Sequence, residues 1–373
     1  VTNQPSFLNC IISVETTLGG LEILKALKEI ETELGRIQTF RYGPRVIDLD
    51  VVLMGSQIIE EPSLSVPHAL MHERAFVLKP LLDILPATFK HPKLHKTLKE
   101  LYQQLPLQDV QATRQVIPVP AHSADGQERL IHVDSAATPR LFGVINVTPD
   151  SFSDGGKHLS AANALASIQA IWRKDPSVIV DIGGESTAPS APSVSESEEW
   201  DRVEPVLKAI NEAFPSGDEL KRPIVSIDTT KLGIATKAFS LNCDILNDVY
   251  AAPRFYSDRK AHEEMARLVA DSGKPWVMMH CRGSSSNMKS LANYEPGTVA
   301  SSVATELLAA IKSALELGVL PWQIIVDPGI GFAKTTEQNV EILKDVPRFR
   351  LLTGGLPTFV GASRKRFLGM ITQ

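Results

Sequence analysis

The sequence predicts an α/β protein built mainly as a (β/α) barrel, and three observations carry that reading. From Leu141 onward, short apolar segments alternate regularly with longer helical patterns. The apolar segments are near-continuous, as strands buried on both faces of a parallel sheet must be. Each also ends at its carboxyl side in a polar residue: Asn146, Asp181, Asp228, Asn247, His280, Asp327 and Ser363. Repeated strand–helix units leave a doubly wound sheet or a barrel. A doubly wound sheet gathers function at one switch point, whereas a barrel brings every carboxyl end onto one face. The polar endings therefore favour the barrel, and no glycine-rich dinucleotide fingerprint follows the first strand.

The expected strands are 141–146, 178–183, 223–228, 244–248, 275–280, 324–329 and 358–364. One intervening helix opens with Ser195 and Glu198 spaced as a capping box and sets Trp200, Val203, Leu207 and Ile210 on one face. Another carries Val299, Val303, Leu307, Ile311 and Leu315, then stops at Gly318, which suits the position just past a helix end. Ahead of the barrel, expected at 137–373, residues 105–136 read as a linker, with Pro106, Pro118, Pro120 and Gly126 among polar residues. Residues 1–104 mix strands and helices around a charged centre. There Ile47, Leu49, Val51 and Leu53 alternate with Asp48 and Asp50, the period of a strand with one apolar face. Both carboxylates then project from the other face, about 7 Å apart. Acids so spaced can hold a pair of Mg2+ ions on a nucleotide triphosphate, or can simply be an exposed strand face.

A chain of 373 residues, 43% hydrophobic and 22% charged, has the composition of two or three globular domains. Its net charge of −5 leaves no footprint for nucleic acid or an anionic membrane. No run approaches the roughly 18 apolar residues of a membrane span. Anionic substrates must then be held by local Arg, Lys, helix N-termini or metal. Cys10, Cys243 and Cys281 are far apart and lack zinc-ligand spacing. That suits a reducing compartment: the cytoplasm, with the mitochondrion left open. The opening Val1-Thr2-Asn3-Gln4-Pro5 resembles no signal or transit peptide and lacks a starting Met, so the chain is expected to begin in mid-domain.

Specific motifs sit at the strand ends. They are Asn146-Val147-Thr148-Pro149-Asp150-Ser151-Phe152, Asp181-Ile182-Gly183-Gly184-Glu185-Ser186-Thr187, Ser226-Ile227-Asp228-Thr229, Asn247-Asp248, Met279-His280, Asp327-Pro328-Gly329-Ile330-Gly331-Phe332 and Gly361-Ala362-Ser363-Arg364-Lys365. In that order they resemble the dihydropteroate synthases, TIM-barrel enzymes that join a pterin to 4-aminobenzoate with loss of pyrophosphate. The resemblance implies that Asp228, Asn247 and Asp327 accept the pterin's N–H groups, while Met279 and Phe332 line its flat pocket. Lys365 would meet the pterin carbonyl as the leaving group departs, and Asn146 would contact Mg2+. Phe152, Thr187, Pro189 and Ser363 match the aminobenzoate pocket, where sulfonamides would compete. A homodimer through the barrel is implied as well. Asp181 either holds the second loop or touches substrate, and His280 is either packing or functional. Two departures stand out. Ala188 occupies a position where many members carry an Arg for phosphate, and the eighth strand, with its Arg-x-His anion motif, is not in the sequence.

In the first hundred residues, Phe7-Leu8-Asn9, Glu31, Gly35-Arg36, Gly43-Pro44-Arg45, Val66-Pro67-His68 and Arg74-Ala75-Phe76 surround the Asp48/Asp50 strand. Together they resemble the 6-hydroxymethyl-7,8-dihydropterin pyrophosphokinases, an α+β ferredoxin-like fold. That enzyme makes the diphosphate the barrel would consume, and fused forms of the two occur in eukaryotes. The resemblance implies Mg2+ on Asp48 and Asp50, and ATP on Glu31, Arg36, Arg45, His68 and Arg74, with Arg45 and His68 also catalytic. The pterin would meet Asn9 and Phe76. The family's opening strand, helix and second strand are not in the sequence, so 1–104 is expected to be the latter part of that domain. Two other readings compete: a pterin-binding methyltransferase barrel, and a synthase docked on a non-catalytic kinase-like segment.

Overall fold

The structure, a computed structural model, describes residues 7–36, 46–122, 129–133, 139–148, 157–186, 193–215, 222–251, 259–284 and 287–371. It divides into two compact units, Val1–Arg114 and Gln115–Gln373.

The first unit contains helix α1 (Gly20–Glu33), a hairpin of β1 (Ile59–Glu61) and β2 (Leu64–Val66), and helices α2 (Ala75–Ile84), α3 (Leu98–Gln103) and α4 (Leu107–Ala112). Its core gathers Met71, Val77, Leu78, Leu81, Leu98 and Leu101, with Val52 and Leu53 packed against them. A capping box starts α3: Thr97 Oγ1 accepts the Glu100 amide at 3.2 Å, and Glu100 Oε2 accepts the Thr97 amide at 2.8 Å. Residues 46–50 alternate in exposure, with Ile47 and Leu49 turned in and Asp48 and Asp50 turned out, as the expected strand requires. They are not a strand of any sheet among the described residues. Part of the reason is that the Leu49 amide donates to the Glu31 carboxylate instead, at 2.8 Å, and the Val52 carbonyl accepts from His68 at 3.0 Å.

The second unit opens with an antiparallel hairpin, β3 (Val116–Val119) and β4 (Arg129–His132). The stretch expected as a linker is therefore partly structured, because alternating Ile117, Val119 and Ile131 have an apolar surface to cover. Six parallel strands follow with their helices: β5 (Phe142–Asn146), α5 (Lys157–Lys174), β6 (Ile179–Gly183), α6 (Glu196–Ala213), β7 (Val225–Asp228), α7 (Leu232–Ser240), β8 (Ile245–Asp248), α8 (Arg259–Ser272), β9 (Trp276–Met279), α9 (Val299–Glu316) and β10 (Ile324–Asp327). Helices α10 (Thr336–Lys344), α11 (Val346–Leu352) and α12 (Arg366–Ile371) complete the order. Each strand pairs with the next in sequence, and β6, β8, β9 and β10 are buried at every residue. The main core lies between this sheet and the helices, on residues such as Ile182, Val203, Leu207, Ile227 and Val326.

The expected strand 358–364 is reduced to a parallel bridge of Thr358 to Val326. The Val326 amide donates to Pro357 and the Phe359 amide to Val326, each at 2.9 Å, before the chain turns into the Gly361-Ala362 segment. Nevertheless the sheet curls onto itself. The Phe359 ring beside β10 lies edge-on to the Phe142 ring of β5, the opposite edge strand, with centroids 4.6 Å apart. Beneath them the β3–β4 hairpin packs Ile117, Val119 and Ile131 against Ile179, Ile245, Val277 and Ile325, from the amino-terminal halves of the strands. The hairpin plugs that end of the barrel. The carboxyl ends open on the other.

The helix ends follow the sequence in part. Ser195 Oγ accepts the Glu198 amide at 3.2 Å, but the Glu198 carboxylate takes Arg202 at 2.5 Å, so the expected capping box is only half made. At the end of α9, Gly318 sits at φ +98°, its amide donating to Leu315 and the Val319 amide to Ala314, each at 3.1 Å. That paired bond is the Schellman closure that a left-handed glycine permits. Leu315 itself is exposed rather than part of the apolar face.

Candidate functional site

The carboxyl ends of the parallel strands bring together Asn146, Asp181, Asp228, Asn247, Met279 and Asp327. Asn247 and Asp327 are buried, and Asp228 is half-buried at the mouth. Asn247 Nδ2 donates to Asp181 Oδ2 at 3.0 Å. Asp181, left open between loop and substrate, is thus a buried brace that orients the Asn247 amide. Gly183 leaves a gap between neighbours: a Cβ there would lie 3.8 Å from Asn146 Oδ1 and 3.5 Å from Asp228 Oδ2.

The carboxylates are poorly neutralised. Burial, together with Asp181, Glu199 and Asp248, pushes the Asp228 carboxyl well above the usual range against the pull of Lys365. Burial also raises Asp327 to about 6, although the Gly329 amide donates to its Oδ1 at 2.7 Å and Lys365 and Lys334 draw it down. Desolvation brings Lys365 below the ordinary lysine value. Its Nζ sits 4.2 Å over the Phe332 ring. Buried Met279 and Phe332 form an apolar cluster with Val249, Cys281, Met288 and Ala333, and Met279 stands in register with Asp327. Perturbed acids beside an apolar floor at the barrel's open end mark a ligand site. Ser363 is exposed, two residues before Lys365. Phe152, Thr187, Pro189 and Ala188 lie outside the described residues.

Backbone geometry supports this arrangement. Gly329 has φ +69°, and a Cβ there would fall 1.8 Å from the His280 carbonyl oxygen, so no other residue fits. Arg364, at φ 56°, is a non-glycine residue in the left-handed region between Ser363 and Lys365.

Two ionic networks around the site were not read from the sequence. Lys334 Nζ contacts His280 Nδ1 at 3.2 Å, and His280 Nε2 lies 3.0 Å from Glu306, which is also bound by Arg282. Burial, then Lys334, lowers His280 to about 4, so it is a neutral, fully enclosed residue rather than a surface base. The Asp-Pro-Gly-Ile-Gly-Phe motif continues as Ala333-Lys334, and extending it by two residues would have flagged the lysine. The second network binds Lys231 to both Glu185 and Glu199. Arg202 Nη1 donates to the Gly184 carbonyl at 2.7 Å beside it. Together they tie the start of the second loop to α6 and α7.

In the first unit, Asp48 and Asp50 are each about half exposed, at 46% and 48%. Arg36 Nη1 lies 2.8 Å from Asp48, and His68 Nε2 lies 3.9 Å from Asp50. His68 Nδ1 accepts the Leu70 amide at 3.2 Å, which directs Nε2 to the acid. Glu31 is buried. Burial would raise its carboxyl, but the Leu49 amide, Lys28 and Arg36 hold it low. It is a clamp beneath Arg36 and the acidic segment. Arg74 stacks 5.7 Å from the Phe76 ring. Asn9 is exposed and donates to the Phe7 carbonyl at 3.1 Å. Arg45 lies outside the described residues.

No group of three or more His, Cys, Asp or Glu side chains among the described residues is arranged to hold a metal. Asp48 and Asp50 supply hard oxygen donors, and Mg2+ fits such a pair when substrate phosphates and water complete its shell. No described helix is long and apolar enough to cross a membrane.

Comparison with known proteins agrees with this division. Residues 142–373 match the family described as pterin binding enzyme, and residues 1–86 match 7,8-dihydro-6-hydroxymethylpterin-pyrophosphokinase. The mitochondrial folate synthesis bifunctional protein of Arabidopsis thaliana is 36% identical, covering all of this chain and 67% of its own length. A dihydropteroate synthase from Xanthomonas albilineans, solved with 4-aminobenzoic acid, is 32% identical with a TM-score of 0.55, over 69% of this chain and 82% of that one. A Plasmodium falciparum HPPK-DHPS triple mutant, solved with pteroate, is 25% identical with a TM-score of 0.62, over 83% of this chain and 52% of that one.

Proposed function

The chain belongs to the fused folate-synthesis proteins, a pterin-binding barrel joined to a hydroxymethyldihydropterin pyrophosphokinase segment, and from that premise we propose how its residues divide the work. The barrel condenses 6-hydroxymethyl-7,8-dihydropterin diphosphate with 4-aminobenzoate to 7,8-dihydropteroate and pyrophosphate. The first segment serves the ATP-dependent step that makes the diphosphate.

The observation that carries the residue assignment is the set of under-neutralised carboxyls beside an apolar floor: Asp228 and Asp327 next to Asn247, Met279 and Phe332. A pterin presents adjacent N–H donors on a flat ring, and hydrogen bonds from them offset the cost of burying those acids. Lys365 takes the pterin carbonyl. As the bond from the pterin methylene to the diphosphate breaks, the arylamine nitrogen forms the new C–N bond and then gives up a proton. Positive charge developing on the ring system is met by preorganised carboxylates and amide oxygen. The aminobenzoate pocket falls to Phe152, Thr187, Pro189 and Ser363, where sulfonamides compete.

In the first segment, Arg36, Arg45, His68 and Arg74 meet ATP phosphates, and Asn9 and Phe76 meet the pterin. Asp48 and Asp50 would hold Mg2+, and Asn146 would contact it in the barrel. The metal would supply charge neutralisation of the phosphates. The chain would work as a homodimer in the cytoplasm or mitochondrion, the latter matching the name of the Arabidopsis relative. Nothing observed favours the methyl-transfer reading or a silent kinase segment, since Asp48, Asp50, Arg36 and His68 are grouped.

Two assays test this. Dihydropteroate formed from the diphosphate and 4-aminobenzoate reports the barrel, and its absence with well-folded protein refutes the reading. AMP released from ATP and hydroxymethyldihydropterin reports the other step. In the full-length protein, Asp48→Asn or Asp50→Asn should abolish AMP release and leave dihydropteroate formation intact, the groups lying in separate units.

A further inference from the structure

The series Lys334, His280, Glu306, Arg282 lies behind the pterin-facing residues, and a single donor–acceptor assignment satisfies all of it. An ammonium has three N–H donors and no acceptor. Lys334 Nζ has three acceptors: the Gly329 carbonyl at 3.0 Å, the Phe332 carbonyl at 3.1 Å and His280 Nδ1 at 3.2 Å. With Lys334 charged, Nδ1 accepts, which puts the imidazole proton on Nε2, aimed at Glu306 Oε2 3.0 Å away. Glu306 accepts that proton together with two Arg282 donors, Nε at 3.1 Å and Nη2 at 2.5 Å. The Arg282 guanidinium is fixed in turn by stacking 3.8 Å over the Tyr294 ring.

Two of the three acceptors are the ends of the turn that follows Asp327. The same turn donates the Gly329 amide to Asp327 Oδ1 at 2.7 Å and carries the Phe332 ring under Lys365. Its other face is fixed by Asn339, whose Oδ1 accepts the Gly331 amide at 2.6 Å. We propose that Lys334 is the positioning residue of the pterin pocket. Its ammonium, aimed by the His280–Glu306–Arg282 series, clamps residues 329–332 and through them sets Asp327 and Lys365 for the pterin. The inference rests on the pterin reading above.

The clamp needs a charged amine. Burial depresses Lys334 most, with Arg282 acting the same way, while Cys281, Asp327 and Glu306 oppose; the balance brings it to about 7. His280, neutral, faces it as an acceptor, and Lys365 lies across the Phe332 ring. Loss of the proton leaves two donors for three acceptors. Pterin binding prefers the protonated form, so affinity falls as pH rises through neutrality.

The test is calorimetric titration of the whole chain with hydroxymethyldihydropterin diphosphate, from the acid to the alkaline side of neutrality, alongside steady-state kinetics. Lys334→Met should bind the diphosphate at least about tenfold more weakly and lose the alkaline fall. Its KM for 4-aminobenzoate at saturating diphosphate should stay unchanged, a split that a general folding defect would not give. Lys334→Arg, whose charge does not titrate in this range, should shift the alkaline fall upward, and it decides alone if the Met variant does not fold. Wild-type affinity with a wild-type alkaline fall in either folded variant overturns the inference. Failure of the wild-type chain to make dihydropteroate would instead overturn the reading on which it rests.

Discussion

At the amino ends of the barrel strands, Asp244 is fully buried and fully engaged. It takes Arg129 from the hairpin, lies 2.9 Å from His122 and accepts the Val225 amide at 2.7 Å. Lys274 is satisfied nearby by the Cys243 and Phe239 carbonyls at 2.5 and 3.3 Å. At the carboxyl ends, Asp228 and Asp327 are raised acids that form no ion pair among the described residues. The same sheet therefore carries buried charge at both ends, completed at one and left incomplete at the other. A completed group holds the fold together. An incomplete one carries a standing free-energy cost that a ligand can relieve, which is why perturbed acids and binding sites coincide. If the contrast is real, mutations at the two ends should separate stability from turnover.

The largest effect is expected at the plugged end. Asp244→Asn removes the buried carboxylate that Arg129 binds, and breaking such a pair costs about 3–5 kcal/mol. Thermal and denaturant unfolding should show that loss, while dihydropteroate formed per folded molecule stays at the wild-type rate. A fall in turnover without a fall in stability would erase the distinction between the ends.

Lys365→Met reverses the pattern. Losing the group proposed to meet the pterin carbonyl should lower turnover at least a hundredfold, ~3 kcal/mol in the barrier. Stability should hold or rise, because desolvation already disfavours the charge there. Near-normal turnover in the folded variant would remove Lys365 from the chemistry.

Asp327 sharpens the comparison through pH. Its folded carboxyl titrates near 6, above the ordinary 3.8, so between those values the folded chain binds more protons than the unfolded one. Stability contributed by this group therefore falls as pH rises through that window, and the cost is complete above 6. Two units correspond to about 2–3 kcal/mol. Asp327→Asn should flatten that part of the stability–pH curve and raise the melting temperature at neutral pH, while weakening pterin binding. An unchanged curve would mean that the acid is already compensated.

The incomplete end was legible in the sequence and the completions were not. Asn146, Asp228, Asn247 and Asp327 announce themselves because each is a polar residue closing an apolar run, a local signal. The partners come from far along the chain: Glu306 reaches His280 across 26 positions, and Arg129 reaches Asp244 across 115. No periodicity links such pairs. The hairpin at 116–132 was hidden because Pro118, Pro120 and Gly126 mark a linker by composition, yet Pro118 pairs with Leu130 in the ladder. The run 46–50 kept its alternation but not its ladder, since a side chain took one of its backbone groups.

The smallest effect belongs to a completed group placed at the open end. Glu185 closes the base of the second loop: its Oε2 binds Lys231, and its Oε1 accepts the Val194 amide at 3.3 Å, where the chain returns toward α6. Lys231 is held by Glu199 as well, so removing one carboxylate leaves the lysine partnered. Glu185→Gln keeps an oxygen for Val194 and loses only the charge. A partly exposed ion pair is worth roughly 1 kcal/mol or less. The expected result is a few-fold rise in KM for 4-aminobenzoate, whose pocket we have proposed to include Thr187 and Pro189, with pterin affinity and melting temperature little changed. Loops ordered by fewer contacts cost more to fix when the second substrate arrives. Steady-state kinetics with each substrate varied in turn checks it. A pterin affinity that fell alongside would show the second loop and the pterin floor to be one unit, and completed charge at this end would then serve binding as directly as the incomplete acids do.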